Sequence, residues 1–266
     1  MPNLQPCRLT ASFRQRIWGT THLGPWFPDS EQQIGEVWFE GPRGAALLVK
    51  FIFTSENLSV QVHPQDAYAR AHHNSRGKTE MWYVLDAKPG AKIAGGFRRS
   101  VTREELKAAA LSGEVESLLA WVEASPGDVF FLPAGTVHAI GGGLTLCEIQ
   151  ENSDITYRLY DYGRGRELHL EQALAVSDLE PHPTKQTPDR ELLVDCEHFT
   201  TTLLEVNGNK DIFPIPGQSR FIVVLEGRGE ILGSSTEPGQ VWYISETTEP
   251  FAINGNLKCL VASAHS

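Results

Sequence analysis

Two strand-and-turn signatures each occur twice in this chain. MWYVLD (81–86) is matched by FIVVLE (221–226), and PGDVFFL (126–132) by PGQVWYI (238–244). Each copy joins β-branched and aromatic runs to a Pro-Gly turn, which reads as a unit of short strands. Val84 and Gly127 are 43 residues apart, whereas Val224 and Gly239 are 15 apart. The difference of 28 is about the length of the segment between Phe97 and Ser125. Chance similarity between hydrophobic strands would look the same, but the repeated turns and the matching insertion favour duplication. The expected fold is mainly β: two small barrels in tandem, the first interrupted by a helical insertion at about 98–125.

The rest of the chain agrees. VWFE, AALLVKFIFT and LSVQVHP read as strands broken by GPRG and SEN turns. QDAYARAHH and LHLEQALAV read as short helices. In the insertion, Thr102 and Glu105 have capping-box spacing ahead of REELKAAALSGEVESLLAWV, whose apolar residues fall at helical spacing. PHPTKQTPD (181–189) is the best linker. The expected boundaries are therefore a first domain over 1–180, a linker over 181–195 and a second domain over 196–266.

Lys+Arg 23 against Asp+Glu 33 leaves a net charge of −10 with no local basic run, which speaks against nucleic acid or an anionic membrane as partner. Cys7, Cys147, Cys196 and Cys259 are widely spaced and form no CxxC, so neither a disulfide framework nor a cysteine zinc site is expected. The N-terminal stretch lacks a signal-like apolar run, and no segment approaches the ~18 apolar residues of a membrane span. A soluble, cytoplasmic protein is the expectation.

Gln61 and His63 are two apart in a strand and project from one face. Glu80 opens another strand, and His138 follows the turn PAGTV. Imidazole, carboxylate and amide oxygen together suit a divalent borderline metal such as zinc. Taken singly, each has a plainer reading: a hydrogen-bonded core histidine, or a solvated strand start. Glu148 in LTLCEIQ is the best candidate base, with Asp154 in reserve, although a strand carboxylate paired with a lysine or arginine would look alike. Alternation in TYRLY puts Arg158 on the face of Tyr160, as a substrate clamp or an edge charge. Lys78 lies two before Glu80, on the same face or in a flexible surface loop.

Gly127, Pro133, Gly135 and His138 fit the second cupin motif, with Gly142 where asparagine is usual, and Gln61-x-His63 stands where the first motif has His-x-His. SVQVHP, GKTEMWYV, PAGTVHAIG and EIQENSDITYRLYDYGR resemble the type I mannose-6-phosphate isomerases (phosphomannose isomerases) of the cupin superfamily. RELHLEQAL and the short chain resemble their compact bacterial form. The likeness implies tandem cupin (jelly-roll) barrels. It also implies a zinc-dependent aldose–ketose isomerase interconverting mannose 6-phosphate and fructose 6-phosphate by proton transfer through an enediol.

On this resemblance Gln61, His63, Glu80 and His138 are the metal ligands. Lys78, Glu148 and Arg158 are catalytic, and Lys78, Arg158 and Arg164 bind the substrate. Arg164 stands where longer relatives carry lysine. Arg220, Ser245 and Pro250 occupy the places of Glu80, Pro133 and His138 in the second repeat, so that copy is expected to be metal-free, with one Zn2+ per chain. The alternatives are another metal-dependent cupin enzyme, such as a dioxygenase, and a non-catalytic sugar-binding cupin. Oligomeric state is not legible in the sequence.

Overall fold

A computed structural model describes residues 6–188, 191–215 and 217–265. The chain is mainly β, with three sheets and four short helices among the described residues. The first sheet runs Tyr157–Tyr160, Val60–Val62, His138–Ile140, Lys92–Phe97, Leu119–Glu123. The second is ordered Lys185–Gln186, Val129–Leu132, Glu80–Ala87, Leu144–Glu151, Leu47–Phe53, Ile34–Glu40, Ser12–Thr20. The third is built mainly from Arg220–Ile231, Phe251–Ala264 and Phe199–Ile212, with shorter strands at both edges.

The repeat is carried by backbone pairing. Met81, Trp82 and Tyr83 lie opposite Phe131, Phe130 and Val129, and Phe221, Ile222 and Val223 lie opposite Tyr243, Trp242 and Val241. These are equivalent registers. Both hairpins close with the same pair of bonds: Val84 N–H to Asp128 O and Gly127 N–H to Val84 O in one, Val224 N–H to Gln240 O and Gly239 N–H to Val224 O in the other. Gly127 and Gly239 both sit at positive φ, +90° and +84°, where a side chain is strained. The turn therefore selects Pro-Gly twice.

The insertion is shorter and more varied than a single helix. Helices cover Arg103–Ser112 and Val115–Leu118, split by Gly113 in the left-handed region. Thr102 caps the first by accepting from Glu105 N–H at 3.1 Å, while the Glu105 carboxylate turns to Arg99 instead of completing the box. Beyond Leu118 the run LAWV leaves the helix. Leu119–Glu123 is a strand paired with Lys92–Phe97, because a short apolar run satisfies either period and the sheet edge supplies its partners. Helices Arg103–Ser112 and Leu170–Val176 cover the outer face of the first sheet, burying Leu106, Ala109 and Leu174 with Val60, Val62 and Leu159.

Strand alternation assigns every other side chain of the second sheet to one face. Phe51, Met81, Tyr83, Cys147 and Ile149 point to the third sheet and share one core with Phe199, Phe221, Val223 and Leu260. The two halves are thus welded rather than tethered. Cys7–Arg8 pairs with Tyr243 and Trp242 of the third sheet, and Lys185–Gln186 pairs with Phe130 and Val129 at an edge of the second. The stretch read as a linker is therefore packed where it is described; its residues 189 and 190 lie outside the described residues. Phe51→Ala, which empties a fully buried site against Phe27 and Phe39, is expected to cost about 3–5 kcal/mol. Urea unfolding followed in both halves should show one transition, moved to lower denaturant as a unit.

Candidate metal centre and active site

The opposite face of the second sheet looks toward the first, and the polar residues collect between them. His138 lies opposite Gln61 on the neighbouring strand, and Gln61 opposite Arg158 on the next. Directly opposed residues share a face, so amide, imidazole and guanidinium converge. The alternation does not extend to Tyr160: the register shifts between Arg158 and Tyr160, which lands opposite Val60 and packs with the helix-side cluster. From the second sheet, Glu80 crosses the gap, with His63 Nε2 at 3.5 Å from Oε2 and His138 Nε2 at 3.3 Å from Oε1. The two imidazoles and this carboxylate offer ligand atoms within 4.8 Å of one another, all buried. Gln61 closes the group, its amide 3.3 Å from His138 Nε2.

Each imidazole is fixed from behind. His63 Nδ1 donates to Ile155 O at 2.9 Å and His138 Nδ1 to Thr136 O at 2.8 Å. A carbonyl only accepts, so each ring carries its proton on Nδ1 and presents a lone pair at Nε2. Burial pushes both imidazole pKa values down, that of His138 to about 4, and Lys78 adds to the effect at His63. Burial alone would raise the Glu80 carboxyl, but Lys78 and the two histidines outweigh it and hold it well below the carboxylate range. Glu80 Oε1 is buried without a hydrogen-bond partner. Two neutral imidazole nitrogens, an ionised carboxylate with an unused oxygen and a nearby amide form a donor set that fits a zinc ion.

Beside this group lies a buried quartet of two ammoniums and two carboxylates. Lys78 Nζ is 2.6 Å from Glu80 Oε2, 3.0 Å from His63 Nε2 and 4.0 Å from Glu148 Oε1. Burial would strip Lys78 of its proton, but Glu148 and Glu80 raise its pKa and keep it charged. Glu148 Oε2 accepts from the Trp82 indole at 2.8 Å. Its Oε1 is ion-paired with Lys50 Nζ at 2.9 Å but has no hydrogen-bond partner, so one oxygen is anchored by the indole and the other is held by charge alone. Sheet pairing dictates the set: Glu148 is opposite Lys50 on one side and Trp82 on the other.

Lys50, Lys78, Gln61 and Glu148 line a cavity of about 540 Å3, together with Arg158, Asp154, Trp18 and Arg166. Of the expected residues Arg164 is not on that wall; its guanidinium is turned to Asp161, 2.9 Å away. Lys50, Trp82 and Arg166 were not singled out from sequence. Lys50 had a signal, being the one charge in the otherwise apolar strand LLVKFIF. His72 and His73 are exposed; His72 stacks on Tyr68. No helix among the described residues is long and apolar enough to cross a membrane.

No protein-family model matches the chain. Mannose-6-phosphate isomerase ManA of Bacillus subtilis is 32% identical to it, over 97% of this chain and 98% of that one. The chain belongs to the mannose-6-phosphate isomerase family. Within it, the mannose-6-phosphate isomerase of Streptococcus mutans is 36% identical over 68% of this chain and 64% of its own. The crystal structure of a Bacillus subtilis mannose 6-phosphate isomerase superposes with a TM-score of 0.84 at 28% identity, covering 97% of this chain and 99% of that one. A zinc-bound mannose 6-phosphate isomerase shares the fold at a TM-score of 0.76 and 15% identity, covering 99% of this chain and all of that one. The family resemblance read from SVQVHP, GKTEMWYV and PAGTVHAIG is thereby established across the whole chain.

Proposed function

We propose that this chain interconverts mannose 6-phosphate and fructose 6-phosphate and holds one zinc ion on His63, Glu80, His138 and Gln61. The observation that carries the reading is the meeting of two Nε2 lone pairs and an unpartnered Glu80 oxygen beside a cavity that Glu148 lines. The relatives' names supply the sugar. When bound, the ion supplies a Lewis acid for the adjacent oxygens on C1 and C2 of the sugar.

Glu148 has an oxygen without a hydrogen bond to take the proton from C2 and return it to C1, and a second proton passes from the C2 hydroxyl to the C1 oxygen; the two transfers together make the net change from aldose to ketose. Lys78, kept charged by its ion pairs, steadies the oxygen where negative charge gathers. Arg158, one strand from Gln61, orients the sugar from the side. Lys50 and the Trp82 indole hold Glu148 against rotation. We read the β units as tandem cupin barrels, 1–180 carrying the site and 196–266 supporting it through 181–195, a reading that the matched hairpin registers support. Hexose phosphates and unpaired cysteines suit the cytoplasm.

A coupled assay with mannose 6-phosphate tests the function. Turnover is expected in the zinc-replete protein, is lost on chelation and returns with zinc. Full zinc with no turnover of any hexose 6-phosphate would leave a sugar-binding cupin, and metal-dependent O2 uptake would leave a dioxygenase.

A further inference from the structure

We infer that the substrate's phosphate is taken by Arg166, positioned by Asp161 and acting with Arg158, while Arg164 serves only the loop. This rests on reading the cavity as a hexose-phosphate site. Of the three arginines in YRLYDYGRGR, Arg158 and Arg166 line the cavity and Arg164 does not.

The difference lies in what the remaining Nη1 side of each guanidinium faces. Asp161, 3% exposed at the end of the strand Tyr157–Tyr160, receives both later arginines. Arg164 gives it Nη2 at 2.9 Å and gives its carbonyl Nε at 3.2 Å, while its guanidinium lies over the Tyr162 ring at 5.0 Å and Nη1 faces Glu56 at 3.9 Å. Like Arg166 it grips Asp161 by its Nε–Nη2 edge, but its remaining Nη1 side is turned to the Glu56 carboxylate and not to the cavity.

Arg166 offers Asp161 one edge only, Nε at 2.7 Å to Oδ2 and Nη2 to Oδ1. A guanidinium has five N–H donors in a planar fork, so that grip fixes its plane and leaves the Nη1 side for another acceptor. Arg158 donates Nη1 to Glu167 O at 2.7 Å, and its Nε is buried with no partner. The cavity wall here thus carries two guanidiniums with donors to spare. A phosphate monoester, close to a dianion at neutral pH and rich in acceptors, is the chemistry that satisfies both. Arg158 lies beside Gln61 in register and lines one cavity with Arg166, so the two guanidiniums and the metal group open on the same space, as a sugar with reacting carbons at one end and phosphate at the other requires.

The test compares Arg166→Gln with Arg164→Gln in the zinc enzyme, using mannose 6-phosphate turnover and competitive inhibition by inorganic phosphate. Arg166→Gln is expected to raise KM and the phosphate inhibition constant together by about 10- to 100-fold, the loss of one or two charge-assisted bonds, with zinc content unchanged. Arg164→Gln should leave both constants within about twofold, as a surface-loop change does. Arg166→Lys, which keeps charge without the fork, should recover part of the loss, and Asp161→Asn should raise KM more than it lowers kcat. Unchanged phosphate inhibition in Arg166→Gln, or a shift in Arg164→Gln instead, overturns the inference. If the unmodified enzyme fails to turn over mannose 6-phosphate, it is the reading of the site that fails.

Discussion

Glu148→Gln is expected to lower isomerase turnover by about 10²- to 10⁴-fold while one zinc per chain remains bound. The side chain is 3% exposed and nearly isosteric with its replacement, and the amide oxygen can still accept from the Trp82 indole 2.8 Å away. What the amide cannot do is take a proton. The cost falls on kcat rather than KM, because proton transfer belongs to the transition state and not to ground-state binding. Neutralising Glu148 also leaves Lys50, 4% exposed, without its ionic partner, and that can destabilise the fold. Glu148→Asp keeps the charge but withdraws it by one methylene, so it separates chemistry from folding: it should stay folded at the unmodified midpoint and still be slow. Asp154 lines the same cavity. If Glu148→Gln works within a few-fold of the parent and Asp154→Asn does not, the base is Asp154.

How much of this was legible in sequence depended on whether a residue's partner could be found along the chain. Gln61 and His138 were readable because each sits in a motif whose spacing reflects a strand face or a turn, and the fold sets them opposite each other. The repeated Pro-Gly turns were readable because positive φ leaves few residues to choose from. LAWV (119–122) is strand where helix was expected, since its period is ambiguous and only the neighbouring strand Lys92–Phe97 decides it. The face of Tyr160 was misread because a one-residue register shift inverts alternation and leaves no mark in composition. The tandem repeat was legible, but that Phe51 and Phe221 lie in a common core was not, because the apolar pattern of a strand says which face is buried but not what buries it. Arg164 and Arg166 are both arginines in one glycine-rich loop and both grip Asp161, and only the folded loop turns one toward Glu56 and the other toward the cavity.

Glu80→Ala is expected to abolish zinc binding and turnover together and to destabilise the metal-free protein by about 3–5 kcal/mol. Glu80 is the only carboxylate of the buried ligand group and the link between two sheets, with His138 of the first sheet at 3.3 Å and His63, just beyond the strand Val60–Val62, at 3.5 Å from its oxygens. Removing it takes away the one anionic donor, and a dication between two neutral imidazoles then lacks the charge that repays its lost hydration. It also strands Lys78, 4% exposed, whose 2.6 Å bond to Glu80 helps keep its ammonium charged within the protein. Glu80→Gln separates the two effects. It preserves volume and one oxygen donor, so its packing loss is small, but it is neutral and should still lose most of the zinc. Metal content after gel filtration and urea midpoints with and without zinc distinguish these outcomes. In the unmodified protein zinc is expected to raise the midpoint, as a ligand that binds the folded state better than the unfolded one does, and that increment should vanish in Glu80→Ala and shrink sharply in Glu80→Gln. A Glu80→Ala protein that kept its zinc and its turnover would mean that the ion sits elsewhere, and the two histidines would then be no more than hydrogen-bonded core residues.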